Sequence, residues 1–298
     1  MIKIISIIFT FILLVFFLFV SFQYMEGGPF DRENPVPPEV RKRLEEKYAL
    51  NKSPVEQGVQ YLKNIATFDF GESLRYRNSR PVKEIIFETF SISAMLGLLA
   101  TVFSLFTGAI FGSIAAWFSY LQKKKLALSF DLFFGFLISL PGFFASTLLI
   151  LVFGLWLEAF PVALWQGPRS VVLPVLALAL RPTGLVARMT YACLQDVLKQ
   201  DYIRFAFAKG LTRSQVFIKH ALKNAYTPVL SFFAPIISTL FVGSIVIEHV
   251  FAIPGMGKHF LSSVLDRDYP TILAVTIVYG VIFITINGLA EFTLDKNR

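Results

Sequence analysis

Few side chains in this sequence stand where chemistry would need them. Three histidines, His220, His249 and His259, are scattered along the chain. Neither cysteine pairs nor paired carboxylates accompany them at metal-ligand spacing, so no metal site is expected. The single Cys193 has no partner for an internal disulfide and reads as a small apolar residue. No nucleophile–base pair and no G-x-x-x-x-G-K-[ST] phosphate loop is present, so neither a catalytic residue nor a bound cofactor is expected. The charged residue that stands out is Arg181, followed by Pro182, halfway along an apolar run. A central arginine costs about 2.5–3.5 kcal/mol on an insertion scale, and each Leu, Ile, Val or Phe returns about 0.3–0.6. About ten such neighbours let the helix insert. Arg181 is then expected to face protein or a water-filled cavity, as a pathway residue, an internal ion pair or a snorkelling side chain. Pro182 frees a backbone carbonyl and is expected to kink the helix.

The largest polar feature is the stretch DYIRFAFAKGLTRSQVFIKHALKNAYTP, Asp201–Pro228, which carries Arg204, Lys209, Arg213, Lys219 and Lys223. Apolar stripes at Phe205–Ala208 and at Val216, Phe217, His220 and Ala221 give it helical periodicity in two pieces. Gly210 suits the residue just after the first helix, where positive φ is cheap. Thr212 can cap the second, and Pro228 marks re-entry into an apolar run. Two short helices meeting at an angle are predicted. They would either lie on anionic lipid or dock a soluble partner.

The elements that hold these features are membrane helices. Of 298 residues, 55% are hydrophobic and 16% charged, against roughly 25% charged in a soluble domain. Apolar runs near the length needed to cross ~30 Å of hydrocarbon recur along the chain. The expected fold is an all-α membrane protein with six transmembrane helices. The first, in residues 1–22, is a retained helix, because no cleavage site follows it. The others lie near Phe90–Phe118, Leu132–Leu157, Val171–Met189, Val229–Val250 and Thr271–Leu289. Residues 23–88 hold eleven Lys/Arg and eleven Asp/Glu, and a segment of that length does not vote on orientation. The short segments place thirteen basic residues on one side and only Arg169, Lys258 and Arg267 on the other. Both termini and the loop of about residues 191–228 are therefore expected in the cytoplasm, and 23–88 outside as an insert before the five-helix core of 89–298. Within the insert, Pro38, Val40, Leu44 and Tyr48 predict a short amphipathic helix. The net charge of +8 is explained by this topology and does not call for nucleic acid.

Two further patterns concern packing. Ser104, Gly108, Gly112 and Ala116 repeat every four residues, a small-residue stripe that lets another backbone approach closely. Pro235 and Gly243 are expected to bend the fifth span. Beyond it, Pro254, Gly255 and Gly257 form an outer turn, where Glu248 either binds something or stabilises the turn through backbone N–H groups.

These residues carry a resemblance. Asp201–Pro228 is similar to the EAA loop of the membrane subunits of bacterial ABC importers, with Arg204-Phe205-Ala206 where Glu-Ala-Ala would stand. It is closer to the peptide-transport branch, whose version resembles DYIRTARAKGL…HALRNA…P; Phe205 and Phe207 depart from it. FDFGESLRYRNSRPVKEII, TGAIFGSIAA, VIEHVFAIPGMG and RDYP resemble further stretches of that branch, and GGPF (Gly27–Phe30) resembles the oligopeptide B-type subunit. The C-terminal LDKNR departs from the usual Asp-Pro-Arg ending. The resemblance implies an inner-membrane permease subunit for oligopeptides, or for dipeptides, nickel or another small solute. It implies a second, homologous permease, two cytoplasmic ATPases and an extracytoplasmic peptide-binding protein as partners, beside the lipid bilayer. It places ATPase coupling on Arg204, Ala206, Ala208, Lys209, Gly210, Leu211, Thr212, His220 and Asn224. A membrane enzyme would need a catalytic constellation, and a secondary transporter would show internal repeats and midplane ionisable groups. Of these only Arg181 is found.

Overall fold

The computed structural model describes residues 9–13, 15–17, 56, 59–60, 63–65, 67–73, 80–225 and 233–296. The amphipathic helix expected at 38–48, Gly27–Phe30 and Pro228 lie outside them. Nine helices are named here: α1 Val82–Tyr120, α2 Lys124–Ser139, α3 Gly142–Leu149, α4 Val172–Leu198, α5 Asp201–Ala208, α6 from Arg213, α7 Phe233–Val250, α8 Met256–Leu265 and α9 Tyr269–Lys296. The helix of α3 runs on with π-helical geometry through Ile150–Trp156, and α6 does so through Val216–Leu222. Residues 9–13 and 15–17, in the first expected span, are helical. Among the described residues three helices are long and apolar enough to cross a membrane: Val82–Tyr120, Pro168–Leu198 and Tyr269–Gly288.

The stretch expected as the span Leu132–Leu157 is not one straight helix. The chain bends there by 103° between α2 and α3. Leu140 is extended (φ −68°, ψ 121°), because the residue before a proline is pushed out of the helical region. Pro141 then lacks the N–H that would have continued the ladder. By contrast α4 runs through Pro182, and α7 through Pro235 and Gly243, each as one helix.

The chain forms two compact units. One comprises Met1–Ile92 with Pro254–Ile284, the other Ser93–Ile253 with Thr285–Arg298. In the first unit, Asp268 is 1% exposed. Its carboxylate accepts hydrogen bonds from the hydroxyls of Ser73 and of Thr271, the latter at 2.8 Å. Ser73 is held in turn by its own N–H, which donates to the carbonyl of Arg80 at 2.9 Å. Two stretches 195 residues apart are thereby tied together. A buried carboxylate is stable only while such donors reach it. Asp268→Ala is therefore expected to cost about 3 kcal/mol, since hydrogen bonds to a charged group contribute roughly 1.5–3 each. Thermal unfolding of the detergent-purified protein measures this, and an unchanged midpoint would refute the tie.

In the second unit the small-residue stripe of α1 meets α4. A Cβ on Gly108 would lie 2.6 Å from Val186 Cβ and 2.9 Å from the Thr183 carbonyl oxygen, and one on Gly112 would fall on the Ala187 carbonyl. Ser104 and Ala116 are fully buried. Gly184, on another side of α4, gives α2 similar access, its absent Cβ lying 2.9 Å from the Phe134 carbonyl oxygen. Helix α4 is thus the post on which α1 and α2 close. Arg188 of α4 adds an ion pair to Asp131 of α2, Nε to Oδ1 at 3.1 Å.

Candidate functional site

The elbow around Gly210 is built from two short helices. Helix α5 buries Ile203 and Ala206, one turn apart, and leaves Tyr202, Arg204 and Phe205 outside. It ends at a left-handed Gly210, φ +81°. The Gly210 N–H donates to the Phe207 carbonyl at 2.8 Å, and the Leu211 N–H donates to the Ala206 carbonyl at 3.3 Å. This pair of bonds is the Schellman closure, which satisfies two carbonyls a helix end leaves open. The next helix starts two residues later. The Thr212 hydroxyl accepts from the Gln215 N–H at 3.4 Å, and the Gln215 side chain accepts from the Thr212 N–H at 2.9 Å. That reciprocal capping box fixes the start of α6.

The inner side of the elbow is apolar. Ile203, Ala206, Val216, Phe217 and Ala221 form one buried cluster with Ala116 of α1 and Leu194 of α4. Trp117 meets Phe217 edge-on at 5.0 Å between ring centroids. Tyr120 stacks with Phe217 at 6.2 Å and with Phe207 at 6.5 Å. The two short helices are therefore seated on the ends of the two helices that share the small-residue stripe.

The two phenylalanines that set this loop apart have different surroundings. Phe207 is 38% exposed and leans on Tyr120, while Phe205 is 69% exposed. Arg204, Ala208, Lys209, Gly210, Thr212, Ile218 and Asn224 are exposed as well. Leu211 and His220 are partly buried. Ala206 belongs to the inner cluster and does not reach the outer side. Arg204 makes an exposed ion pair with Asp201 at 3.4 Å, which orients the guanidinium more than it stabilises the helix.

The remaining candidates lie elsewhere. Arg181 is exposed on α4, and Pro182 beside it is buried. Glu248 is fully buried near the end of α7. Its backbone carbonyl accepts the Ile253 N–H at 2.8 Å and so closes the turn that follows α7. Gly255 stands at the start of α8 and is buried with Gly257, while Pro254 is exposed. The sequence reading missed Gly184, Asp131 and the Ser73–Asp268 tie. For Gly184 a signal existed, since with Ala177 and Ala187 it adds small residues to the buried side of α4.

The helical core thus carries a capped two-helix elbow, seated on α1 and α4, with Phe205 exposed on it. The chain belongs to the family described as binding-protein-dependent transport system inner membrane component, which it matches over residues 108–295. It is 39% identical to the dipeptide transport system permease protein DppB of Bacillus subtilis, covering 95% of this chain and 90% of that one. It is 34% identical to the oligopeptide transport system permease protein OppB of Haemophilus influenzae, covering 95% and 92%. Two solved structures share the fold: an amino acid ABC transporter (TM-score 0.56, 16% identity, 72% of this chain and 94% of that one) and the inward-facing MetNI methionine ABC transporter (TM-score 0.54, 18% identity, 69% and 93%).

Proposed function

We propose that this chain is a permease subunit of an ABC importer that carries peptides across the bacterial inner membrane, supplying half of the pathway. The names of its relatives, matched over nearly the whole chain, support the substrate class. In this reading the chain crosses the membrane six times with both termini in the cytoplasm. It pairs with a homologous permease, receives peptide from an extracytoplasmic binding protein and is driven by two cytoplasmic ATPases. The exposure of Phe205, on a basic segment whose other side packs into the inner cluster, is the observation that carries the coupling role. A docked helix passes on motion only if it is firmly seated on its own subunit and its partner contacts differ between the two states.

An exposed aromatic on a basic segment suits an anchor in a partner's pocket, and such anchors carry much of an interface's energy. Phe205→Ala is expected to reduce ATPase co-purification with the permease by about tenfold or more. Phe207→Ala should instead loosen the elbow's seat on Tyr120. A photoreactive or cysteine cross-linker at residue 205 should capture an ATPase subunit. Labelling confined to lipid would refute docking and favour a surface-lying helix.

A further inference from the structure

Helix α4 presents two arginines seven residues apart, hence two turns apart on one side of the helix. The chain treats them differently. Arg188 has Asp131 at 3.1 Å. Among the described residues, Arg181 has no acidic side chain within ion-pair distance. It is also exposed, on a helix whose other surfaces are packed against α1 and α2. A guanidinium at mid-span is costly against lipid. Among the described residues no counter-charge is supplied, which leaves water and whatever passes or docks there as its surroundings. On the reading of the chain as a peptide permease, the solute that passes has one anionic group common to every sequence, its C-terminal carboxylate. The planar guanidinium fork matches a carboxylate through two parallel hydrogen bonds.

We propose that Arg181 is a substrate-binding residue of the translocation pathway and that it holds the C-terminal carboxylate of the peptide in transit. One such contact in a wet cavity is weak enough to be released. It is also independent of side chains, which suits a carrier of varied peptides. Conduction needs binding of this moderate kind, favourable for entry and reversible for exit.

The test uses the complete importer, with its partner permease, ATPases and saturating binding protein, reconstituted in proteoliposomes. Uptake of alanine peptides of two to five residues is measured for the free acids and for their C-terminal carboxamides. Wild type is compared with Arg181→Gln and Arg181→Lys. The binding protein's own preference cancels when the acid-to-amide ratio is compared between permeases. Arg181→Gln is expected to lower that ratio by about tenfold, as loss of a charge-assisted contact does, and Arg181→Lys to restore part of it. An equal fall for acid and amide overturns the carboxylate contact and leaves the peptide reading standing. Poor recovery of the two-permease complex in Arg181→Gln assigns the residue to subunit pairing and overturns it likewise. Wild-type uptake of neither form overturns the peptide reading itself, and this inference with it.

Discussion

Gly112→Ala is expected to destabilise the protein by about 2 kcal/mol or more, and Gly112→Leu to keep it from accumulating in the membrane. The cause is a carbonyl that cannot step aside. A Cβ at residue 112 would fall on the oxygen of Ala187 and lie 2.7 Å from Thr190 Cβ. The first of these is backbone in the middle of α4, so no rotamer change relieves it. The relief available is to part α1 from α4, which also opens the contact of Gly108 with Val186 and Thr183. Between membrane helices there is no hydrophobic force to hold the pair together at the wider spacing, because packing itself is the attraction. Overpacking in a filled core costs about 1–3 kcal/mol. Gly135 provides the control, since a Cβ there meets nothing within 4 Å. Glycine to alanine raises helix propensity by about 1 kcal/mol at either position, so the difference between the two variants isolates the clash. Membrane-fraction yield and thermal unfolding read it out. Equal midpoints for Gly112→Ala and Gly135→Ala would show that the stripe carries no packing energy.

How much of this was legible in the sequence depends on the range over which each feature is decided. The apolar runs announced the helices, because length and hydropathy are local. The stripe at Ser104–Ala116 announced a packing surface but not α4 as its partner. The break at Leu140–Pro141 stood in the sequence and was read through, because the apolar run continues on both sides of it. Helix ends make the same point more sharply. Five of them close with the same pair of backbone bonds around a left-handed residue: Phe68, Gln122, Gly210, Ala252 and Arg267. One of the five is glycine, so reading glycine as the stop signal finds one end and misses four. At three of the others the following residue makes the closing bond while itself largely or fully buried, or held by other groups. Ile253 is 0% exposed, Asp268 anchors Ser73, and Lys123 lies over the Phe118 ring at 5.8 Å. Burial and bonding of the next residue thus offset the strain of positive φ, and neither is visible in a local pattern. The same holds for the Ser73–Asp268 tie, whose two halves were each noticed as distinctive without any sign that they meet.

That Gln122 and Ala252 adopt positive φ makes the second large effect a question of degree at Gly210. Gly210→Pro is expected to abolish coupled transport, and Gly210→Asn to leave most of it. Proline fixes φ near −65°, whereas the elbow requires +81°. Proline also removes the N–H that donates to Phe207 at 2.8 Å. The chain would leave α5 in another direction, so the Leu211–Ala206 bond and the start of α6 at Thr212 would both be lost from their present register. Valine should fall near proline, because a β-branched side chain is strained in the left-handed region. Asparagine tolerates that region, and no atom lies within 4 Å of a Cβ at this position, so it meets neither backbone nor steric resistance. The order Gly, Asn, Val, Pro is therefore an order of rising backbone strain, to which proline adds the lost hydrogen bond to Phe207. Insertion should be unaffected across the series, since the membrane-spanning helices gain and lose nothing. The measurement is peptide uptake and ATP hydrolysis by the reconstituted importer, with membrane yield as the control. If Gly210→Pro transports as well as wild type at equal yield, the bend at Gly210 is not what carries motion into the membrane. If uptake falls in the order of strain while hydrolysis persists, the two short helices act as a lever whose angle is set at one residue.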